Sequence, residues 1–169
     1  AFDEEVVLAE IRRLEIPGRL RITTRLESAA AIHPRLVERI RSLADRHASS
    51  MDLARGFAIR FPIGCAERNG DFYVRREEDN PFSSFVSAPE CARTALAEGA
   101  APASVREHAR PLWCQVISDE SGAGRPNGVY WPWGGSSEFA PGVTNGFCRG
   151  VLWQCAEVVS SAARYLTRR

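Results

Sequence analysis

Apolar residues recur along the chain with more than one rhythm, and each change of rhythm marks an element. Over residues 3–15, Val7, Ile11 and Leu14 fall at helical spacing, and Asp3, Glu4 and Glu5 sit in the first turn, where the helix dipole favours acids. Pro17-Gly18 ends that helix. Residues 19–26, RLRITTRL, then alternate: Leu20, Ile22, Thr24 and Leu26 face one way and Arg19, Arg21, Thr23 and Arg25 the other. That is the pattern of a half-exposed strand, or of an irregular linker. Helical spacing returns after Pro34, with Leu36, Val37, Ile40, Leu43, Ala44 and His47 on one stripe that runs to about residue 48.

Phe57, Ile59, Phe61 and Ile63 next alternate with Ala58, Arg60 and Pro62, and ERNGDFYVRRE sets Asn69-Gly70 between two extended runs. This pair is the strongest short-range signal for a tight hairpin turn. Pro62 and Gly64 point to an edge strand or a bulge. Over 78–111 the periodicity weakens, which predicts a loop, a short helix near 89–98 and a turn, the usual home of variable, ligand-facing structure. LWCQVIS and NGVYWPW read as two strands joined by the hairpin loop DESGAGRP.

A polar, Gly-rich connection, GGSSEFAPGVTNG, leads to the last helix, with Thr144 or Asn145 as N-cap. Phe147, Cys148, Val151, Leu152, Cys155, Val158, Val159, Ala162 and Leu166 form its broad apolar face. Arg149, Gln154, Glu157, Ser161, Arg164 and Arg168 lie largely opposite. The element order predicts an α+β fold, an antiparallel sheet covered on one side by the first and last helices.

Composition narrows the function classes. With 169 residues, 44% hydrophobic and 25% charged, the chain is long enough to bury roughly two-thirds of its unfolded surface. All 22 basic residues are Arg, so a Schiff-base lysine and a GK[ST] phosphate loop are both excluded. The formal net charge of +1 gives no global field for nucleic acid or an anionic membrane. No apolar run approaches the roughly 18 residues of a membrane span, so no membrane insertion is expected. Cys65, Cys91, Cys114, Cys148 and Cys155 are an odd, widely spaced set without a CxxC pair, read as mostly reduced thiols in a cytoplasmic setting.

PLWCQVISDESGAGRPNGVYWPWGGSSEFAPG followed by a helix resembles the terminal strand, turn, strand, G-x-F segment and closing helix of GAF-type sensory domains. The helix at 34–48 and the hairpin at 57–77 are similar to that family's opening. The resemblance covers residues 34–166, with 1–33 as an N-terminal helix and a linker or extra strand before a domain at 34–169. It implies that a small molecule binds between the sheet and the 78–111 excursion, and that its presence is passed to a partner domain or dimer mate through the terminal helices. The chain lacks an NKFDE-like cyclic-nucleotide signature, and Cys91 is not followed by the His expected beside a bilin-attaching Cys. Ligand and cofactor are therefore unassigned, and PAS domains or the effector domains of IclR-type regulators would give a nearly equal pattern.

Several residues carry candidate chemistry. In a ligand-binding reading the wall is Trp113, Tyr130, Trp131 and Trp133, with Phe82 and Phe85 from the excursion and Arg75 as a cation for an anionic group. The same aromatics also suit a core or an interface, and Pro132 marks the last strand as an edge. Arg19, Arg21 and Arg25, like Arg75-Arg76 before Glu77-Glu78, read as a solvated face or as an anion clamp. The alternative to ligand binding is a cysteine-dependent hydrolase or transferase using Cys148, in the first turn of the last helix, with His108 as base. The rival reading of Cys148 is a thiol on the core-facing stripe it shares with Cys155. His33, His47 and His108 lack metal-ligand spacing, and Ser118 has no GxSxG context. A ligand-free interaction module, or a homodimer through the terminal helices, completes the set, because the apolar stripe of residues 3–15 is too short to be stable alone.

Overall fold

Among the residues described, the apolar spacing produces three helices: α1 Glu4–Leu14, α2 Leu36–Ala48 and α3 Val151–Thr167. The structure is a computed structural model that describes residues 4–14, 18–26, 30–69, 71–78, 82–96, 103–108, 111–117, 126–131 and 151–167. On α2, Leu36, Ile40, Leu43 and Ala44 of the expected stripe are buried, whereas Val37, expected on the same stripe, is exposed, because one step beyond Leu36 turns it away from the buried face. His33 sets the start of that helix: its carbonyl accepts from the Leu36 N–H (2.9 Å) and its Nδ1 from the Arg35 N–H (3.1 Å). The imidazole therefore satisfies a helix-start donor that would otherwise lack a partner.

Nine strands among the described residues accompany the helices: β1 Arg21–Thr24, β2 Ala30–Ile32, β3 Phe57–Arg60, β4 Ile63–Arg68, β5 Asp71–Arg76, β6 Ser83–Ser87, β7 Ser104–Arg106, β8 Trp113–Val116 and β9 Val129–Tyr130. The fold is α+β, as the element order predicts. Its strands divide between two sheets, ordered β1-β6-β3-β7 and β2-β8-β4-β5-β9. Each sheet holds one parallel pair, β3 with β7 and β4 with β8, and is otherwise antiparallel. The chain forms two compact units, one from Ala1–Glu27, Val37–Phe61 and Asp79–Glu107, the other from Ser28–Leu36, Pro62–Glu78 and His108–Arg169. The four-stranded sheet belongs to the first unit and the five-stranded sheet to the second.

The Asn69-Gly70 signal holds. Arg68 pairs with Asp71 across a two-residue connection, and Asn69 takes the positive φ of 54° that such a turn requires. Three other expectations need correction. The alternating run from Phe57 to Ile63 is not one strand: it breaks at Phe61-Pro62, and β3 and β4 belong to different sheets. Pro62 does not mark an edge, because it precedes β4 and so removes no ladder donor, while its carbonyl accepts from the Glu77 N–H at 2.8 Å.

The two aromatic strands are not a hairpin either. β8 lies between β2 and β4, and β9 pairs with β5 at the far end of that sheet, the edge position that Pro132 predicts. The third correction is β6, which lies between β1 and β3 in a segment with no strand signal. All five residues of its SSFVS are buried, so the polar-apolar alternation that betrays a half-exposed strand is missing.

Over its described side chains, from Val158 on, α3 also departs from the face its apolar pattern predicts. Ser161, assigned to the polar side, is buried: its hydroxyl accepts from the Tyr130 N–H (2.7 Å) and donates to the Val158 carbonyl (3.1 Å). One turn later the Tyr165 hydroxyl accepts from the Arg76 N–H and donates to the Arg76 carbonyl. The hydroxyls at i and i+4 thus meet backbone groups of β9 and β5, whereas Val159 and Leu166 stay exposed.

Candidate functional site

The first unit contains a groove built on β1, the terminal strand of its sheet. β1 pairs on one side with β6, in the register Arg21 with Ser87 through Thr24 with Ser84. Its side chains alternate, and each face has a different role. Arg21, read from sequence as part of a solvated face or anion clamp, is buried instead. Its guanidinium donates to the carbonyls of Pro89 (3.2 Å), Cys91 and Arg93 (3.0 Å) and to the Ser87 hydroxyl (3.2 Å). The planar fork of donors suits several carbonyls at once, so this side chain holds the turn after β6 against β1.

Two residues on, Thr23 reinforces that hold, because its Oγ1 accepts from the Ala95 N–H at 2.9 Å. Thr94 turns the same segment back, its Oγ1 accepting from the Leu96 N–H at 3.2 Å. On the other face, the Thr24 and Ser84 hydroxyls meet at 2.9 Å. Residues 94–96 are thereby fixed beside β1. Beneath them Ala95 packs with Phe85 and Cys91 in a buried cluster.

α1 supplies the remaining wall through Val7 and Ile11, which are one turn apart and share a face. Between α1, residues 22–26 and residues 94–96 lies a groove of about 870 Å³, within the range of small-molecule sites, roughly 300–1,000 Å³. Its described lining is mostly aliphatic, with the hydroxyl-bearing Thr23, Thr24 and Thr94, the Arg25 guanidinium and no carboxylate. Leu26 and Leu96 are 50% and 41% exposed at its rim.

The residues singled out in the sequence fall in both units. In the second unit, Trp113 is fully buried and packs against Gly64, where a Cβ would clash with its ring atoms. The Arg75 guanidinium stands 5.4 Å from the Trp113 ring centroid and is bound by the Gln115 Oε1 (2.6 Å) and the Glu77 carboxylate (2.9 Å). Tyr130 packs edge-on against Tyr73, with centroids 5.5 Å apart. Trp131 is half-buried and extends the ladder, its N–H donating to the Phe72 carbonyl at 2.8 Å. Phe82 and Phe85 are buried in the first unit. Trp133 and Cys148 lie outside the described residues, and His108 is exposed.

Phe85, beneath Ala95, is a member of that set placed next to the groove. Of the residues lining the groove, the sequence pattern assigns candidate roles to Arg25, as part of a solvated face or an anion clamp, and to Val7 and Ile11, as part of the stripe expected to pair in a dimer. A further usable signal exists in RLRITTRL, which carries threonine on both faces of a strand beside aliphatic residues. Cys65, Cys91 and Cys114 are buried free thiols. Among the described residues no group of three or more His, Cys, Asp or Glu is placed to hold a metal ion, and no helix is long and apolar enough to cross a membrane. No protein family, curated protein or solved structure matches this chain.

Proposed function

We propose that the protein is a small-molecule-binding regulatory module, of the kind its resemblance to GAF-type sensory domains implies, with its ligand in the groove between α1, β1 and residues 94–96. The observation that carries this reading is the groove itself: about 870 Å³, walled by aliphatic side chains and furnished with a few polar groups that can fix an orientation. Because α1 is one wall, a ligand that contacts Val7 and Ile11 changes the energetics of a terminal helix. That gives occupancy a route to a partner domain or a dimer mate. A thermal-shift screen of the whole chain against a metabolite panel tests it. Binders are expected to raise the melting temperature of the wild type and to lose that effect in Val7→Trp, which fills the groove; a panel without any such compound overturns the reading.

The same proposal includes a homodimer through the terminal helices. Val6 and Leu14 on α1, and Val159 and Leu166 on α3, are exposed large apolar side chains, which supports pairing. Light scattering at high micromolar concentration is expected to give twice the chain mass, and a strictly monomeric chain refutes the dimer. We place the module in the cytoplasm, where reduced thiols such as Cys65, Cys91 and Cys114 persist.

A further inference from the structure

We infer that the groove of the first unit takes a small amphipathic carboxylate: an aliphatic or aromatic acid whose apolar body lies between α1 and β1 and whose head group meets Arg25. The inference rests on the groove being a ligand site. The apolar half of the ligand follows from Val7 and Ile11 on α1 and from Leu26 and Leu96 at the rim, two leucines held substantially in water. An aliphatic or aromatic body laid across them removes that surface from water.

The anionic half follows from charge. Arg25 is the only cation among the described lining residues, and none of these is acidic. Against this described lining an anion meets attraction, whereas an amine is opposed. Its backbone is pinned, since the Arg25 N–H donates to the Ser83 carbonyl at 3.0 Å, so the guanidinium swings from a fixed root at the end of the groove wall. A guanidinium fork matches a carboxylate with two parallel hydrogen bonds. A second donor is at hand, because the Thr23 hydroxyl already accepts from the Ala95 N–H and a hydroxyl that accepts keeps its own hydrogen to give. One cation among the described lining residues suits a monoanion; a phosphate dianion calls for more positive charge than that.

Calorimetric titration of the full chain with octanoate, octanol and octylamine, which share one apolar body and differ in head group, tests the inference. Octanoate is expected to bind roughly tenfold tighter than octanol, the effect of one exposed charge-assisted contact, and octylamine more weakly than both. Arg25→Gln is expected to bring octanoate down to the level of octanol and leave octanol unchanged, while Arg25→Lys keeps part of the preference. Val7→Trp, or Leu96→Trp if that variant fails to fold by circular dichroism, should abolish binding of all three. Equal binding of octanoate and octanol to the wild type, lost in the groove-filling variant, overturns the carboxylate and leaves the groove as a site for a neutral ligand. An Arg25→Gln chain that keeps the full preference for octanoate overturns it as well. Binding of none of the three also overturns it, and the groove reading then stands or falls on the metabolite screen alone.

Discussion

The Trp113 face of the five-stranded sheet and the β1 side of the four-stranded sheet are both built from apolar residues with an arginine among them, yet one is closed and the other open. On the first, Gly64 leaves room for the Trp113 indole where a Cβ would clash with it, and Arg75 is engaged by that ring, by Gln115 and by Glu77. On the second, threonines tie down the turn at 94–96 above Phe85, and α1 lines the far side of a groove that these side chains leave open. The indole of Trp113 fills the space on its sheet, whereas threonine and aliphatic side chains on and beside β1 leave a groove.

This contrast can be broken experimentally, and the largest effect belongs to the closed face. Trp113→Ala removes a fully buried indole that packs against Gly64, and should cost about 3–5 kcal/mol in urea unfolding. A loss under about 1 kcal/mol, the usual scale of a surface substitution, would mean that this face is as open as the groove. Next comes Arg21→Ala, which strips hydrogen bonds from the carbonyls of Pro89, Cys91 and Arg93. A loss of about 2–3 kcal/mol is expected, with Arg21→Lys only partly restoring stability, because an ammonium cannot reproduce the guanidinium fork. Equal stability of the Lys and wild-type chains would refute the assignment of that fork to the turn.

The smallest effect on folding belongs to the groove rim. Leu26→Ala and Leu96→Ala should each change stability by no more than about 0.5 kcal/mol, since both side chains are already substantially exposed. The same variants should weaken any groove ligand. If they destabilise the chain as much as Arg21→Ala does, the rim is part of the core and the contrast between the two faces disappears.

Much of the local structure was legible in the chain, and the failures share one cause. α1 and α2 follow from apolar spacing, and the β4–β5 hairpin from Asn69-Gly70, because each depends on residues within a turn or two of one another. β6 escaped because a strand buried along its whole length shows no alternation. Arg21 and Ser161 read as surface residues because periodicity records polarity, whereas burial depends on a partner. The partners here are carbonyls about 70 residues away and a β9 N–H 31 residues away. The groove is assembled from α1, β1 and residues 94–96, three segments with no shared motif.

By itself, then, the sequence determined the α+β class, the two leading helices, the tight turn at Asn69 and the edge position of β9, all features whose energetics are set by neighbours along the chain. Only the tertiary structure decided that one alternating run splits at Phe61-Pro62 between two sheets, that β8 and β9 never pair, and that an arginine and a serine are buried as hydrogen-bonding partners. Strand pairing and polar satisfaction are chosen among distant segments whose loop-closure costs differ little, so the choice falls to which buried groups find partners.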